Sequence, residues 1–260
     1  MKNNKKPNFF EWNKKILINS FKRIDSGIAW IVAMDAVFYF LSGYIFLQWF
    51  QRIQERMDAI KLPDNIFSQG YQRAQQMTSD VQSFYYLIVG SFIVLLLAII
   101  LLATIAKGII WAKTAKTKVT MGFLSKFFAL NLIWMGFWFA IVILISLAVQ
   151  RESVFMFMVI VFAAGFYLTN NLYSLFMQKQ EIGAIKKAVS LSISRIHLFV
   201  LPYAVLYAIL YIVSKLSGLM KFSYSFLVVM LVLSAYDALQ RYYASELVYS
   251  VEKLSKPKSL

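Results

Sequence analysis

The chain has 260 residues, 27 Lys and Arg against 12 Asp and Glu, a net charge of +15, and a hydrophobic share of 60%. Charged residues make up 15%, well below the roughly 25% of soluble domains, which excludes both an ordinary soluble core and a disordered chain. The absence of cysteine excludes a disulfide scaffold, a thiolate metal site and a cysteine nucleophile.

A bilayer core about 30 Å thick takes roughly 20 apolar residues in a helix. Ahead of the first such stretch, Phe10, Leu17, Phe21 and Ile24 recur at helical spacing, with Lys14, Lys15, Lys22 and Arg23 turned away from them. That pattern predicts an amphipathic helix lying at a membrane interface. The first predicted span covers 28–50. It is too long for the apolar region of a signal peptide and has no small-residue cleavage site after it, so it reads as uncleaved. Residues 51–82 form the longest connection, rich in Gln and Arg. They read as a helical outer cap broken at Lys61-Leu62-Pro63-Asp64-Asn65. The second span, 84–106, is the purest, with no polar residue over 93–102.

A short lead-in with Met121, Phe123, Leu124 and Lys126 precedes the third span, 127–149, and a tight turn at 150–153 leads to the fourth, 154–177. Ile185, Val189, Ile193 and Ile196, with Lys186, Lys187 and Arg195 opposite, then predict a second interfacial helix. Lys14-Lys15, Ser20 and Arg23-Ile24 match Lys186-Lys187, Ser192 and Arg195-Ile196 at an offset of 172, which suits either chance or a parallel repeat. The fifth and sixth spans cover 198–214 and 222–239, and a basic tail follows.

The expected fold is therefore all-α. It is a single integral membrane domain over 1–260, with six transmembrane helices in three hairpins and basic amphipathic helices on one side. Twenty of the 27 basic residues fall before the first span, between spans two and three, between four and five, and after six. The positive-inside rule then places both termini in the cytoplasm of a multi-pass cell-membrane protein. Lys14, Lys15, Arg23, Lys186, Lys187 and Arg195 become candidate contacts for anionic inner-leaflet lipid. No zinc finger, RNP motif or aromatic platform supports a nucleic-acid partner.

Polar residues at membrane depth mark candidate sites. Asp35 lies ~10 Å inside span one at 1.5 Å per residue, Asn170 and Asn171 at similar depth in span four, and Asn131 ~6 Å inside span three. Lys107 closes the inner end of span two, and Asp237 lies near the inner end of span six. These six residues form a candidate inner-leaflet polar cluster. Either they pair between helices, Asp35 or Asp237 with Lys107, Arg241 or an asparagine, or they line a cytoplasm-open pocket centred on Asp35. The outer half holds little beyond Gln48, Ser91 and Ser146, and Pro202 is the sole proline in a span. Both facts weigh against a transport path.

No enzyme and no cofactor are expected. The lone histidine, His197, excludes a multi-histidine metal site, and G-x-S-x-G, Walker and G-x-G-x-x-G motifs are missing. Val32-Ala33-Met34 stands before Asp35 where intramembrane aspartyl proteases carry Gly-x-Gly. The expected role is a scaffold or accessory component that engages anionic lipid or a partner through its basic face. The alternative is a transporter or lipid-handling protein.

The six spans, the basic lead-ins and the segment Ala235-Tyr236-Asp237-Ala238-Leu239-Gln240-Arg241 carry one resemblance. The layout resembles the six-helix membrane domain attached to some bacterial glycerophosphodiester phosphodiesterases and related stand-alone prokaryotic proteins. In that group the last span often ends in a Tyr-Asp-x-Arg-type segment. Tyr236 and Asp237 match it, and Arg241 is displaced. The resemblance implies a helical bundle and no activity, because the phosphodiesterase chemistry of that group belongs to a separate soluble domain.

Overall fold

The computed structural model describes residues 9–59, 71–219 and 225–255. Among them every regular element is a helix: α1 (Phe9–Lys22), α2 (Gly27–Ala59), α3 (Tyr71–Thr114), α4 (Met121–Ala148), α5 (Arg151–Lys179), α6 (Ala184–Ser194), α7 (Ile196–Gly218) and α8 (Ser225–Ser255). Five of them, α2, α3, α4, α5 and α7, are long and apolar enough to cross a membrane. Each carries one predicted span. The sixth predicted span begins at 222–224, outside the described residues, and continues over 225–239 as the first half of α8. The turn expected at Lys61-Leu62-Pro63-Asp64-Asn65 also lies outside the described residues. On either side of it the cap is helical, as continuations of α2 to Ala59 and of α3 from Tyr71.

The chain divides into two compact units, Met1–Ala36 with Thr104–Leu260, and Val37–Ala103. Inside the smaller unit Trp49 Nε1 donates to Ser91 Oγ at 3.1 Å and its ring packs on Phe92. Phe40 stacks on Tyr44, and Phe46 on Phe50, one helical turn apart along α2. Most of the large apolar side chains in this unit are exposed, as suits a surface solvated by hydrocarbon.

The larger unit owns the core. Trp111, Phe123, Phe127, Tyr173 and Phe176 pack ring against ring between α3, α4 and α5. Gly108 on α3 makes this approach possible, because a Cβ there would lie 3.1 Å from the Phe127 ring. Trp111 lies just beyond the predicted second span, where an interfacial aromatic would be expected. It is instead a fully enclosed core residue, because α3 runs on to Thr114 rather than ending with the apolar run. The helix closes in a Schellman motif: Lys116 takes a left-handed φ of 56°, Thr117 N–H donates to Ala112 O, and Lys116 N–H donates to Lys113 O. The short lead-in to the third span is continuous with that span. Thr120 caps α4 by accepting from Phe123 N–H at 3.1 Å, so Met121–Lys126 is simply the first part of α4.

Helices α1 and α6 form where amphipathic lead-ins are expected, and each turns to the protein a side that the expected interfacial stripe left unspecified. α1 buries Ile16 and Ser20, and α6 buries Ala184, Ala188, Leu191 and Ser192. Phe10, Leu17 and Phe21 on α1, and Ile193 and Ile196 at the end of α6 and the start of α7, are exposed. Four of the six buried residues, Ser20, Ala184, Ala188 and Ser192, are small, which allows the helices to approach closely. The tail expected after 239 is also different. α8 continues to Ser255, and Tyr242, Ala244, Leu247, Val248 and Val251 are buried along it.

Candidate functional site: a polar turn of α8

Four polar side chains leave α8 within little more than one helical turn, and each reaches a different helix. Tyr236 Oη donates to Leu206 O of α7 at 2.9 Å. Gln240 and Asn170 of α5 exchange a reciprocal pair of amide hydrogen bonds, 3.1 and 3.3 Å long. Arg241 reaches Asp35 of α2, and Asp237 faces Lys107 of α3.

The last two contacts close a ring of alternating charge. Arg241 Nη1 donates to Asp35 Oδ2 at 2.5 Å and Nη2 to Oδ1 at 2.8 Å, a two-pronged pairing that matches guanidinium to carboxylate. Lys107 Nζ donates to Asp35 Oδ1 at 2.8 Å. Arg241 Nη2 also donates to Asp237 Oδ2 at 3.3 Å, and Lys107 Nζ lies 3.8 Å from the same oxygen. Each acid thus faces both bases, and the four formal charges cancel. The side chains of Asp35 and Arg241 are 0% and 3% exposed, those of Lys107 and Asp237 15% and 18%. Ile31, Ile110, Ala238 and Tyr242, on the same three helices, form a small buried apolar cluster.

Asp35, Lys107 and Asp237 are therefore brought together as the depth argument expected, with Arg241 as the fourth member. The three asparagines are not part of that cluster. Asn131 donates to Thr104 Oγ1 at 3.1 Å and accepts from Tyr173 Oη at 2.5 Å, linking α3, α4 and α5. Asn171 donates to Ser192 Oγ at 2.8 Å and accepts from Tyr203 Oη at 3.0 Å, linking α5, α6 and α7. Asn170 pairs with Gln240 alone among side chains described. The polar set is thus several separate ties. Residues at one depth can lie on different sides of their helices, and only the structure gives that angle. Tyr173 and Tyr203 escaped the sequence reading because their largely apolar bodies drew no notice at membrane depth. Ser192 and Gln240 stand in segments singled out for other reasons and were not marked as site residues, although Gln240 is plainly polar.

Of the candidate lipid contacts, Lys14, Lys15, Lys186 and Arg195 are exposed. Arg23 and Lys187 are engaged with protein. Arg23 Nη1 binds Glu246 Oε2 at 3.1 Å, and Lys187 binds Glu252. Both acids belong to the far end of α8, whose negative charge the expectation had not set against these two bases. His197 is exposed at the start of α7. Among the described residues no group of His, Cys, Asp and Glu is arranged to hold a metal ion. No family model, curated protein or solved structure matches this chain.

Proposed function

We propose that this chain is a six-span protein of the cell membrane with both termini in the cytoplasm, and that it serves as a non-enzymatic scaffold or accessory component. In this reading α8 is the sixth span, α1 and α6 lie along the cytoplasmic interface, and Lys14, Lys15, Lys186 and Arg195 engage anionic lipid. The carrying observation is the closure of the charge ring: Asp35 has no exposed surface, and both its oxygens accept from Arg241, one of them also from Lys107. A carboxylate so engaged ties helices together, whereas a transport or catalytic centre keeps a ligand position open. The layout resemblance to the phosphodiesterase-linked membrane domain supports the same reading.

Topology is tested by reporter fusions at residues 65 and 152, both expected to report the outer side. A cytoplasmic report at either position overturns the arrangement. The lipid role is tested by purifying the protein with co-extracted lipid. Reversing Lys15, Lys186 and Arg195 to Glu is expected to deplete anionic lipid in the annulus. An unchanged lipid composition defeats the reading.

A further inference from the structure

A cavity of about 620 Å³ opens between α1, α7 and α8, a size usual for small-molecule sites. Phe10, Leu17 and Phe21 of α1 form one wall, and Val205 and Ile209 of α7 with Leu239 of α8 form the other. Phe10 is 72% exposed and Phe21 57%, so these rings stand in an open groove rather than a packed interior.

The hydrogen-bond inventory of the walls decides what kind of molecule suits them. Ser20 Oγ donates to Leu17 O, Tyr236 Oη to Leu206 O, Asn13 Nδ2 to Phe9 O, and Gln240 is paired with Asn170. Most of these polar groups are turned onto protein partners, although Asn13 Oδ1 is buried with none, and the interior is largely hydrocarbon-like. A sugar, nucleotide or amino acid placed there loses its hydration without replacement, which costs several kcal/mol per polar group. An acyl chain carries no polar group and loses nothing there. One cation completes the groove: Lys14, exposed and on α1 beside Leu17.

We infer that this groove is a binding site for a single anionic phospholipid, with one acyl chain between α1, α7 and α8 and its phosphate held at Lys14. The inference rests on the membrane reading above but is narrower. A diffuse basic face attracts any anionic lipid, whereas this groove holds one molecule by its chain.

The test is native mass spectrometry of the full chain, delipidated in mild detergent and titrated with phosphatidylglycerol or with phosphatidylcholine of the same acyl chains. One phosphatidylglycerol is expected to remain bound at collision energies that strip the others, with phosphatidylcholine about tenfold weaker. Val205→Trp and, separately, Ile209→Trp fill the groove and are expected to weaken retention of that molecule about tenfold, with helical content by circular dichroism unchanged. Phe162→Trp, on an exposed face of α5 away from the groove, is expected to change nothing. Lys14→Glu is expected to abolish the preference for phosphatidylglycerol while leaving chain binding in place.

Equal retention of the two lipids, or wild-type retention in both groove-filling variants, overturns the site. If the groove variants bind normally while the Lys15, Lys186 and Arg195 reversals deplete the annulus, the groove fails and the basic-face reading stands. The opposite pattern sinks the basic face and leaves the groove.

Discussion

Removing one member of the charge ring leaves the others buried beside an imbalance. Asp35→Asn keeps the shape but leaves Arg241 and Lys107 sharing Asp237, and breaking a buried pair in this way costs about 3–5 kcal/mol. The thermal midpoint of the purified protein is expected to fall accordingly. Adding Arg241→Gln restores charge balance, so the double variant is expected to be more stable than the sum of the singles predicts. An Asp35→Asn protein as stable as the wild type would mean that the ring does not hold the helices. The Asn170–Gln240 pair follows a different rule because it is neutral. Asn170→Leu orphans one buried amide and costs about 1–3 kcal/mol, whereas the paired change Asn170→Leu with Gln240→Leu recovers most of that loss. Of these residues, the sequence marked Asp35, Asn170 and Asp237 by a simple fact: a polar atom in hydrocarbon needs a reason. Their partners were harder to choose, since several candidates share one depth.

Helix existence was legible over most of the described residues, and helix faces were not. In water an apolar stripe marks the buried side of a helix, but beside lipid both sides are apolar and the stripe loses that meaning. Hence the stripe of Phe10, Leu17 and Phe21, read as the membrane-interface face of α1, left its protein-facing side unspecified, and that side presents Ile16 and Ser20. The 14 residues of α1 are near the length at which an isolated helix is marginal, about 12–15, so its order depends on docking to α8. Ile16→Asp is expected to undock it. Hydrogen exchange over residues 9–22 should then rise sharply while exchange in α4 and α5 stays at wild-type levels. Glu246→Gln is expected to do far less. Its pair with Arg23 is partly exposed, and pairs of that kind are worth about 0–1 kcal/mol. A large effect of Glu246→Gln with none from Ile16→Asp would reverse this ordering of apolar over ionic contacts.

At the scale of the molecule, hydropathy alone separated the long helices, and the boundaries it set fall inside α2, α3, α5 and α7 and, but for residue 149, inside α4. It missed the second half of α8, where the spacing of Ala244, Leu247, Val248 and Val251 was present but embedded among Arg241, Glu246 and Glu252. A charged helix ordinarily signals solvent, and here it is covered by other helices. Ending the chain after residue 239 removes Gln240 and Arg241 together with this buried segment. That truncation is expected to abolish monodisperse expression, measured by size-exclusion chromatography, while ending it at 255 is expected to leave the elution profile unchanged. A well-behaved 1–239 protein would show that the polar turn of α8 is dispensable.

Because the α8 ties join residues far apart in sequence, they also impose a schedule on biosynthesis. Asp35 and Arg241 are separated by 206 positions, a delay of roughly 10–40 s at 5–20 residues per second of translation. Lys107 follows Asp35 by only 72 positions and so reaches the membrane as its first counter-charge. In the finished protein Arg241 holds Asp35 by two bonds and Lys107 by one. Lys107→Gln is therefore expected to reduce the fraction of nascent chains correctly inserted, read by pulse-chase labelling, more than it reduces the thermal stability of the molecules that complete assembly.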